Sequence, residues 1–345
     1  MRAVPVIADL ALFAAGLLAL AGGADWMVSG SSRLAGSLGV PPLVTGLTVV
    51  AFGTSAPELV VSVDAAWRGQ GGLAVGNVMG STVANVGLIV GLSALLSPVT
   101  VHRRLLARET PLVVVVLAAV AALSHDASLG RPEGLALLAA FAVYLFLLLR
   151  WALPGQVGAS GPPEQADLVR PAAVLDAAAT DAAAPPDGSR EEGGNGPGVD
   201  RLAEAGRALL GLAALLLGSH VLVKAATSLA AGLGVPEAVV GASLVAAGTS
   251  LPELASSVAA ALRGLGDVAV GNVIGSNVFN LSLVLGAAAV ARPIDVDAAT
   301  VTTQVIPALA FSLLLVPLAY TGRRVGRVEG GLLLASYVAF LVWIF

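Results

Sequence analysis

Residues 51–91 and 246–286 are two copies of one segment. The first reads AFGTSAPELVVSVDAAWRGQGGLAVGNVMGSTVANVGLIVG and the second AAGTSLPELASSVAAALRGLGDVAVGNVIGSNVFNLSLVLG. At a constant offset of 195 residues, with no gap, they agree at 25 of 41 positions. The identities include Gly, Thr, Ser, Pro, Glu, Asn and Arg, which shared hydrophobicity alone would not align. Such a chain must fold as two related halves.

Both halves suit a bilayer. Hydrophobic residues make up 57% of the 345-residue chain and charged residues 12%, about half the roughly 25% of a soluble domain. One span takes about 20 apolar residues. Apolar runs lie near 6–28, 43–66, 72–96, 110–124 and 131–151, then near 208–230, 235–262, 267–290, 299–320 and 328–345. Five helices per half are expected, with the fourth and tenth short. The first run is long enough to span, so no cleavable signal peptide is expected.

The charges gather between the halves. Residues 155–207 hold nine acids and four bases among many Gly, Pro and Ala. Such a segment buries too little apolar surface to offset the entropy of ordering. The expected division is a first transmembrane repeat over 1–151, a flexible acidic linker over 152–206 and a second repeat over 207–345. With both termini outside the cell membrane and the linker cytoplasmic, 13 of the 18 basic residues fall on the inner side, Arg33, Arg103, Arg104, Arg150 and Arg263 among them. Excess Lys and Arg mark cytoplasmic connections, which favours that orientation.

An odd number of spans per half makes the two copies enter the membrane from opposite sides. The expected fold is therefore an all-α membrane protein, ten transmembrane helices arranged as two inverted five-helix repeats. In secondary transporters of this plan the binding site lies near the midplane, between the repeats.

Glu58 and Glu253 stand inside apolar runs, at equivalent places in the repeat. An intramembrane carboxylate is expensive and needs compensation. A basic partner or a lipid headgroup would serve, but no Lys or Arg lies within a helical turn or two of either. A bound cation is the alternative. Thr54 and Glu58 share a helix face at i and i+4, and Ser55 precedes Glu58 by three. Thr249, Ser250 and Glu253 repeat the pattern. Pro57 and Pro252 lack an N–H, release the carbonyls of Gly53 and Gly248, and disfavour helix at Ala56 and Leu251. Free carbonyls, those of Ala51 and Ala246 included, then become oxygen ligands. Taken alone, Pro and Gly here would read as a packing kink.

Asn77, Ser81 and Asn85 are spaced by four, as are Asn272, Ser276 and Asn280. Each set makes a polar stripe on one helix, for ion binding or for interhelical hydrogen bonds. The candidate ligands are carboxylate, hydroxyl, amide and carbonyl oxygens. Hard cations prefer oxygen, and Ca²⁺ takes six to eight in flexible geometry. Two glutamates balance one Ca²⁺, and Na⁺, close to it in size, competes for the same oxygens. Cysteine is absent and the three histidines are scattered, which excludes thiolate and histidine metal centres. A net charge of −4 with 4% aromatic residues is no nucleic-acid footprint.

The duplicated GTSxPE and GNVxGSxxxN motifs resemble those of the sodium/calcium exchangers in the cation/Ca²⁺ antiporter superfamily. The resemblance covers the ten-helix plan and is most specific over 34–91 and 229–286. It implies alternating access, with Na⁺ and Ca²⁺ competing at one central cluster. Its motif positions fall on Ala51, Thr54, Ser55, Glu58, Ser81 and Asn85, and on Ala246, Thr249, Ser250, Glu253, Ser276 and Asn280. Some relatives carry aspartate where Asn280 stands, so this chain has one ionisable group fewer, and K⁺ co-transport is not implied. The large Ca²⁺-sensing linker domains of animal exchangers are absent, as in a prokaryotic exchanger without a regulatory domain. The expected partners are Ca²⁺, Na⁺ and the lipid bilayer. No cofactor, nucleic acid or obligate protein partner is expected.

Other readings remain open. A proton-driven antiporter of Ca²⁺ or another divalent cation could use the same glutamates as proton carriers. A channel would share the oxygen cluster but not the coupling. An intramembrane enzyme would need a nucleophile–base pair, which is missing. Asp25, Asp64, His220 and Lys224 are left over. Asp64 lines an outer vestibule or, as the plainer alternative, sits at the interface, and Lys224 snorkels.

Overall fold

The computed structural model describes residues 3–101, 105–123, 128–152, 200–233, 246–320 and 324–344. Most of the expected linker and the start of the apolar run at 235–262 lie outside these residues. The first half comprises α1 (Ala3–Ser37), α2 (Pro42–Thr54), α3 (Ala56–Trp67), α4 (Gly71–Leu96), β1 (Val99–Thr100), α5 (Thr110–Leu123), β2 (Ser128–Leu129) and α6 (Arg131–Ala152). The second comprises α7 (Arg201–Gly232), α8 (Ala246–Thr249), α9 (Leu251–Leu262), α10 (Gly266–Ala291), β3 (Ile294–Asp295), α11 (Ile306–Tyr320), β4 (Arg324–Val325) and α12 (Arg327–Ile344).

Seven described helical stretches are long and apolar enough to cross a bilayer, α11 counting with the turns before it as Ala298–Pro317, and the bent pair α2–α3 makes an eighth. Two shorter apolar helices, α5 and α9, accompany them. Exposed Leu17, Leu18, Leu149, Leu210, Leu217 and Val342 cover the outer helices, as lipid contact requires. The helix α7 begins at Arg201, well ahead of its apolar run. Asp200 starts it by accepting from the amides of Leu202 and Ala203 at 3.0 and 3.2 Å, which satisfies two otherwise unpaired N–H groups.

The helices form an inner and an outer layer. Over their apolar stretches α4 is 78% and α10 83% buried, against 17% for α1 and 11% for α12. The site residues ride on α4 and α10 and on the broken helices beside them. Turns with positive φ at Gly69 and Gly264 (80° and 72°) end α3 and α9; at that backbone angle glycine is the residue without strain.

Contacts recur with the halves exchanged. Strand β1 pairs antiparallel with β4, Val99 opposite Val325, and β2 with β3, Leu129 opposite Ile294. Glu133 accepts from the Gly130 amide at 2.9 Å and Glu329 from that of Gly326 at 3.0 Å. These pairs also refine the sequence register. The offset is 195 through β1 and β3 and 196 from β2 and β4 onward, so the alignment acquires one inserted residue outside the duplicated motif.

Helices α1 and α7 lie antiparallel along a glycine seam. A Cβ at Gly23 or Gly211 would run into the backbone of Leu215 or Met27, and one at Gly16 or Gly30 would come within 2.7 Å of the amide of Leu222 or Ala208. Small residues at this spacing let two membrane helices touch backbone to backbone. Helix α1 is also tied to α9 by an ion pair from Arg263, at the end of α9, to Asp25, with Nε 2.6 Å from the carboxylate. Asp64 instead pairs with Arg68 of its own turn at 2.8 Å and is half exposed. His220 and Lys224 are exposed.

Candidate functional site

The site is built on a broken helix in each half. The interruption expected at Ala56 and Leu251 falls one residue earlier, at Ser55 (φ −83°, ψ 4°) and Ser250 (φ −87°, ψ 0°). Ala56 and Leu251 already open α3 and α9. Each proline thereby takes the second place of a new helix, where its missing N–H has no partner to lose. Helices α2 and α3 meet at 46°.

Asn77 and Asn272 fasten these breaks to the central helices. The Nδ2 of Asn77 donates to Ser62 Oγ at 2.9 Å and to the Glu58 carbonyl at 3.4 Å, and its Oδ1 accepts from Thr249 Oγ1 at 3.2 Å. Asn272 repeats this with Ser257 at 2.9 Å, the Glu253 carbonyl at 3.4 Å and Thr54 Oγ1 at 3.3 Å, and also reaches Ser256 Oγ at 3.1 Å. Of the two uses left open for these asparagines, the geometry selects the interhelical hydrogen bond. Each crosses from one half to the other, so each glutamate's helix is set by residues of both halves.

Glu58 and Glu253 are fully buried, and Thr54, Ser55, Ser81, Asn85, Thr249, Ser250, Ser276 and Asn280 are buried with them. Ser55 Oγ donates across to Glu253 Oε1 at 3.0 Å, and Ser250 Oγ lies 3.2 Å from Ser81 Oγ. Several buried polar atoms have no partner: both carboxylate oxygens of Glu58, Glu253 Oε2, Asn85 Oδ1, Ser276 Oγ, and both amide atoms of Asn280. Leaving a buried carboxylate unpaired costs several kcal/mol. The unpaired atoms are nearly all oxygens. That donor set suits a hard cation such as Ca²⁺ or Na⁺. Among the described residues no group of three or more His, Asp and Glu stands together, so the chemistry is that of mixed neutral and charged oxygens.

The family model for the sodium/calcium exchanger protein matches residues 9–150 and 205–345. The chain belongs to the sodium/calcium exchanger family. The exchanger is 37% identical over 96% of its length to the putative antiporter CaxA of Alkalimonas amylolytica, covering 96% of that protein. It is 34% identical over 96% of its length to the sodium/calcium exchanger MaX1 of Methanosarcina acetivorans, again covering 96% of the relative. Among solved structures, the sodium-calcium exchanger NCX_Mj, soaked with Na⁺ and no Ca²⁺, matches with a TM-score of 0.78 at 30% identity, over 99% of this chain and 100% of that one. The exchanger is thus a multi-pass membrane transporter rather than an enzyme. Antiport of Ca²⁺ against another cation is its family's activity, Na⁺ and Ca²⁺ are the family's substrates, and no cofactor takes part.

Two expectations for the exchanger's backbone ligands are modified. The Ala51 carbonyl is not freed by the break, because it accepts the Ser55 amide at 3.0 Å. The Gly248 carbonyl, released by Pro252, accepts Ser219 Oγ at 2.9 Å. Ala246 lies in the short α8. Ser62, Ser257, Ser219 and Asn277 were missed by the sequence reading. Ser62 and Ser257 had a signal, since they are identical in both copies. Ser219 and Asn277 had none, because Ala24 and Thr82 stand at the equivalent places.

Proposed function

We propose that the exchanger moves Ca²⁺ out of the cell against inward Na⁺, by alternating access to a central cation cluster. Glu58 and Glu253 supply the charge. Thr54, Ser55, Ser81, Asn85, Thr249, Ser250, Ser276 and Asn280 supply neutral oxygens, with the Ala51 and Ala246 carbonyls beside them. The reading is carried by one observation: the buried, unpartnered oxygens of Glu58 and Glu253, joined by bonds that cross between the halves. Buried carboxylate oxygens without hydrogen-bond donors, both of Glu58 and Oε2 of Glu253, bind a dehydrated cation that can move between two exits.

In this reading the chain has ten spans in two inverted repeats, with α5 and α9 completing two of them. Both termini lie outside the cell membrane, and 152–206 form a cytoplasmic linker between repeats over 1–151 and 207–345. The reciprocal pairing of the four short strands supports a two-fold relation between the halves. Because Na⁺ and Ca²⁺ use the same oxygens, occupation by one expels the other, and exchange follows.

The deciding experiment is ⁴⁵Ca²⁺ uptake into Na⁺-loaded proteoliposomes diluted into Na⁺-free buffer at matched pH and K⁺. Uptake that requires the outward Na⁺ gradient is expected. Uptake that ignores Na⁺ but follows a pH gradient would reassign the protein to proton-coupled antiport. Uptake with no counter-ion gradient would make it a channel.

A further inference from the structure

An asparagine is a two-faced ligand. Its Oδ1 binds a cation and its NH₂ repels one, and the terminal torsion exchanges the two faces over a broad, nearly two-fold profile. A site that uses asparagine therefore needs something that holds the amide the right way round. Asn85 has such a partner. Its Nδ2 donates to Asn277 Oδ1 at 2.8 Å, and its Oδ1 is left buried without a partner. Asn277 stands on α10 and is itself fully buried. Asn280, the counterpart of Asn85, has no such partner. Thr82 occupies the place equivalent to Asn277 and bonds its own helix, at Val78 O, 2.9 Å away. Both amide atoms of Asn280 remain unpaired.

We infer that Asn277 is a positioning residue that holds the Asn85 amide with its oxygen presented to the cation, while Asn280 has no such hold. The inference rests on the proposed cation site. Asn277 acts through Asn85 and does not touch the ion. Partners of this outer kind typically change metal affinity by about 10–100-fold, and the effect here is expected at the lower end, about tenfold.

The test is equilibrium ⁴⁵Ca²⁺ binding to the full-length protein in detergent, using variants of nearly equal size. Asn277→Leu keeps the volume and removes the acceptor, so Ca²⁺ binding should weaken about tenfold. Asn277→Asp keeps the acceptor, so binding should be at least as tight as in the unmodified protein. In an Asn85→Ala background, Asn277→Leu should have no further effect on affinity. A residue that only packs would weaken binding equally in both backgrounds, and would lower the melting temperature without Ca²⁺. Unmodified protein that binds Ca²⁺ as tightly as Asn277→Leu overturns the inference and leaves the site standing. So does an equal loss in the Asn85→Ala background. Unmodified protein that binds no Ca²⁺ overturns the site and the inference together.

Discussion

Glu58 and Glu253 occupy equivalent places in the two halves but meet different surroundings. Ser55 reaches across to Glu253, whereas its counterpart Ser250 pairs with Ser81. Glu253 keeps one hydroxyl donor, and Glu58 keeps none. Ser276, the counterpart of Ser81, is left unpaired. Near-identical side chains in the two copies therefore settle into two different hydrogen-bond patterns. The serines are one difference between the copies, and Asn277 against Thr82 and Ser219 against Ala24 are others.

The largest effects should come from the two carboxylates. In the proposed site, Glu58→Gln and Glu253→Gln each remove half the charge that balances Ca²⁺. Breaking a buried charge pairing costs about 3–5 kcal/mol, about a hundredfold or more in affinity, so Na⁺-driven ⁴⁵Ca²⁺ uptake should fall to background in both. Normal flux in both would remove these residues from the site. Without cations the two should part company. Glu58→Gln relieves a carboxylate with no donor at all, Glu253→Gln one that has Ser55. Thermal melting in cation-free detergent should rise more for Glu58→Gln, by about 1–3 kcal/mol. Equal shifts would mean that the Ser55 bond has no energetic weight.

Next come the two asparagines that fasten the breaks. Removing either leaves buried partners unsatisfied, at about 1–3 kcal/mol. Asn272→Ala should lie at the upper end and Asn77→Ala lower, because Asn272 also reaches Ser256. The position equivalent to Ser256 is Val61, which offers no hydroxyl. Thermal denaturation without ions checks the order, and a reversed order would contradict the bonding. Ser219→Ala should cost about 1 kcal/mol. It strips the Gly248 carbonyl of the hydroxyl that Ala24 cannot offer in the first half. An unchanged melting temperature would show that the two broken helices are equally well satisfied.

How far the sequence reveals this site depends on contrast. Glu58, Asn85 and their counterparts are visible because polar residues stand out inside apolar runs and recur at one offset. The start of α7 is hidden for the opposite reason. Arg201, Glu204 and Arg207 are as charged as the linker before them, and only the Asp200 cap distinguishes the helix. The π-helical turns at Asn85–Val90 and Phe279–Val284 have no composition of their own. Turns of this kind are frequent at functional sites. The direction of each hydroxyl and amide is also set by the partner half. Asn277 against Thr82 shows how one unmatched residue decides it.

The smallest effects should come from the two surface arginines that close the broken helices. Arg68 and Arg263 are equivalent, but their partners differ. Arg68 pairs with Asp64 four residues earlier, with side chains 69% and 55% exposed. Exposed pairs of that kind are worth about 0.3–0.5 kcal/mol. Arg263 crosses to Asp25 on α1 with side chains 29% and 42% exposed, so solvent screens it less but still substantially. Its value should approach the upper limit for exposed pairs, about 1 kcal/mol. Asp25→Asn should therefore lower the melting temperature at low salt more than Asp64→Asn does. High salt should shrink both differences, since exposed charges are screened within about 10 Å at 0.1 M. If the two substitutions prove equal at low salt, the link from α1 to α9 holds nothing together. Helix α1 would then be kept against α9 by apolar packing, as of Leu20 and Ala24 with Ala255 and Ala259.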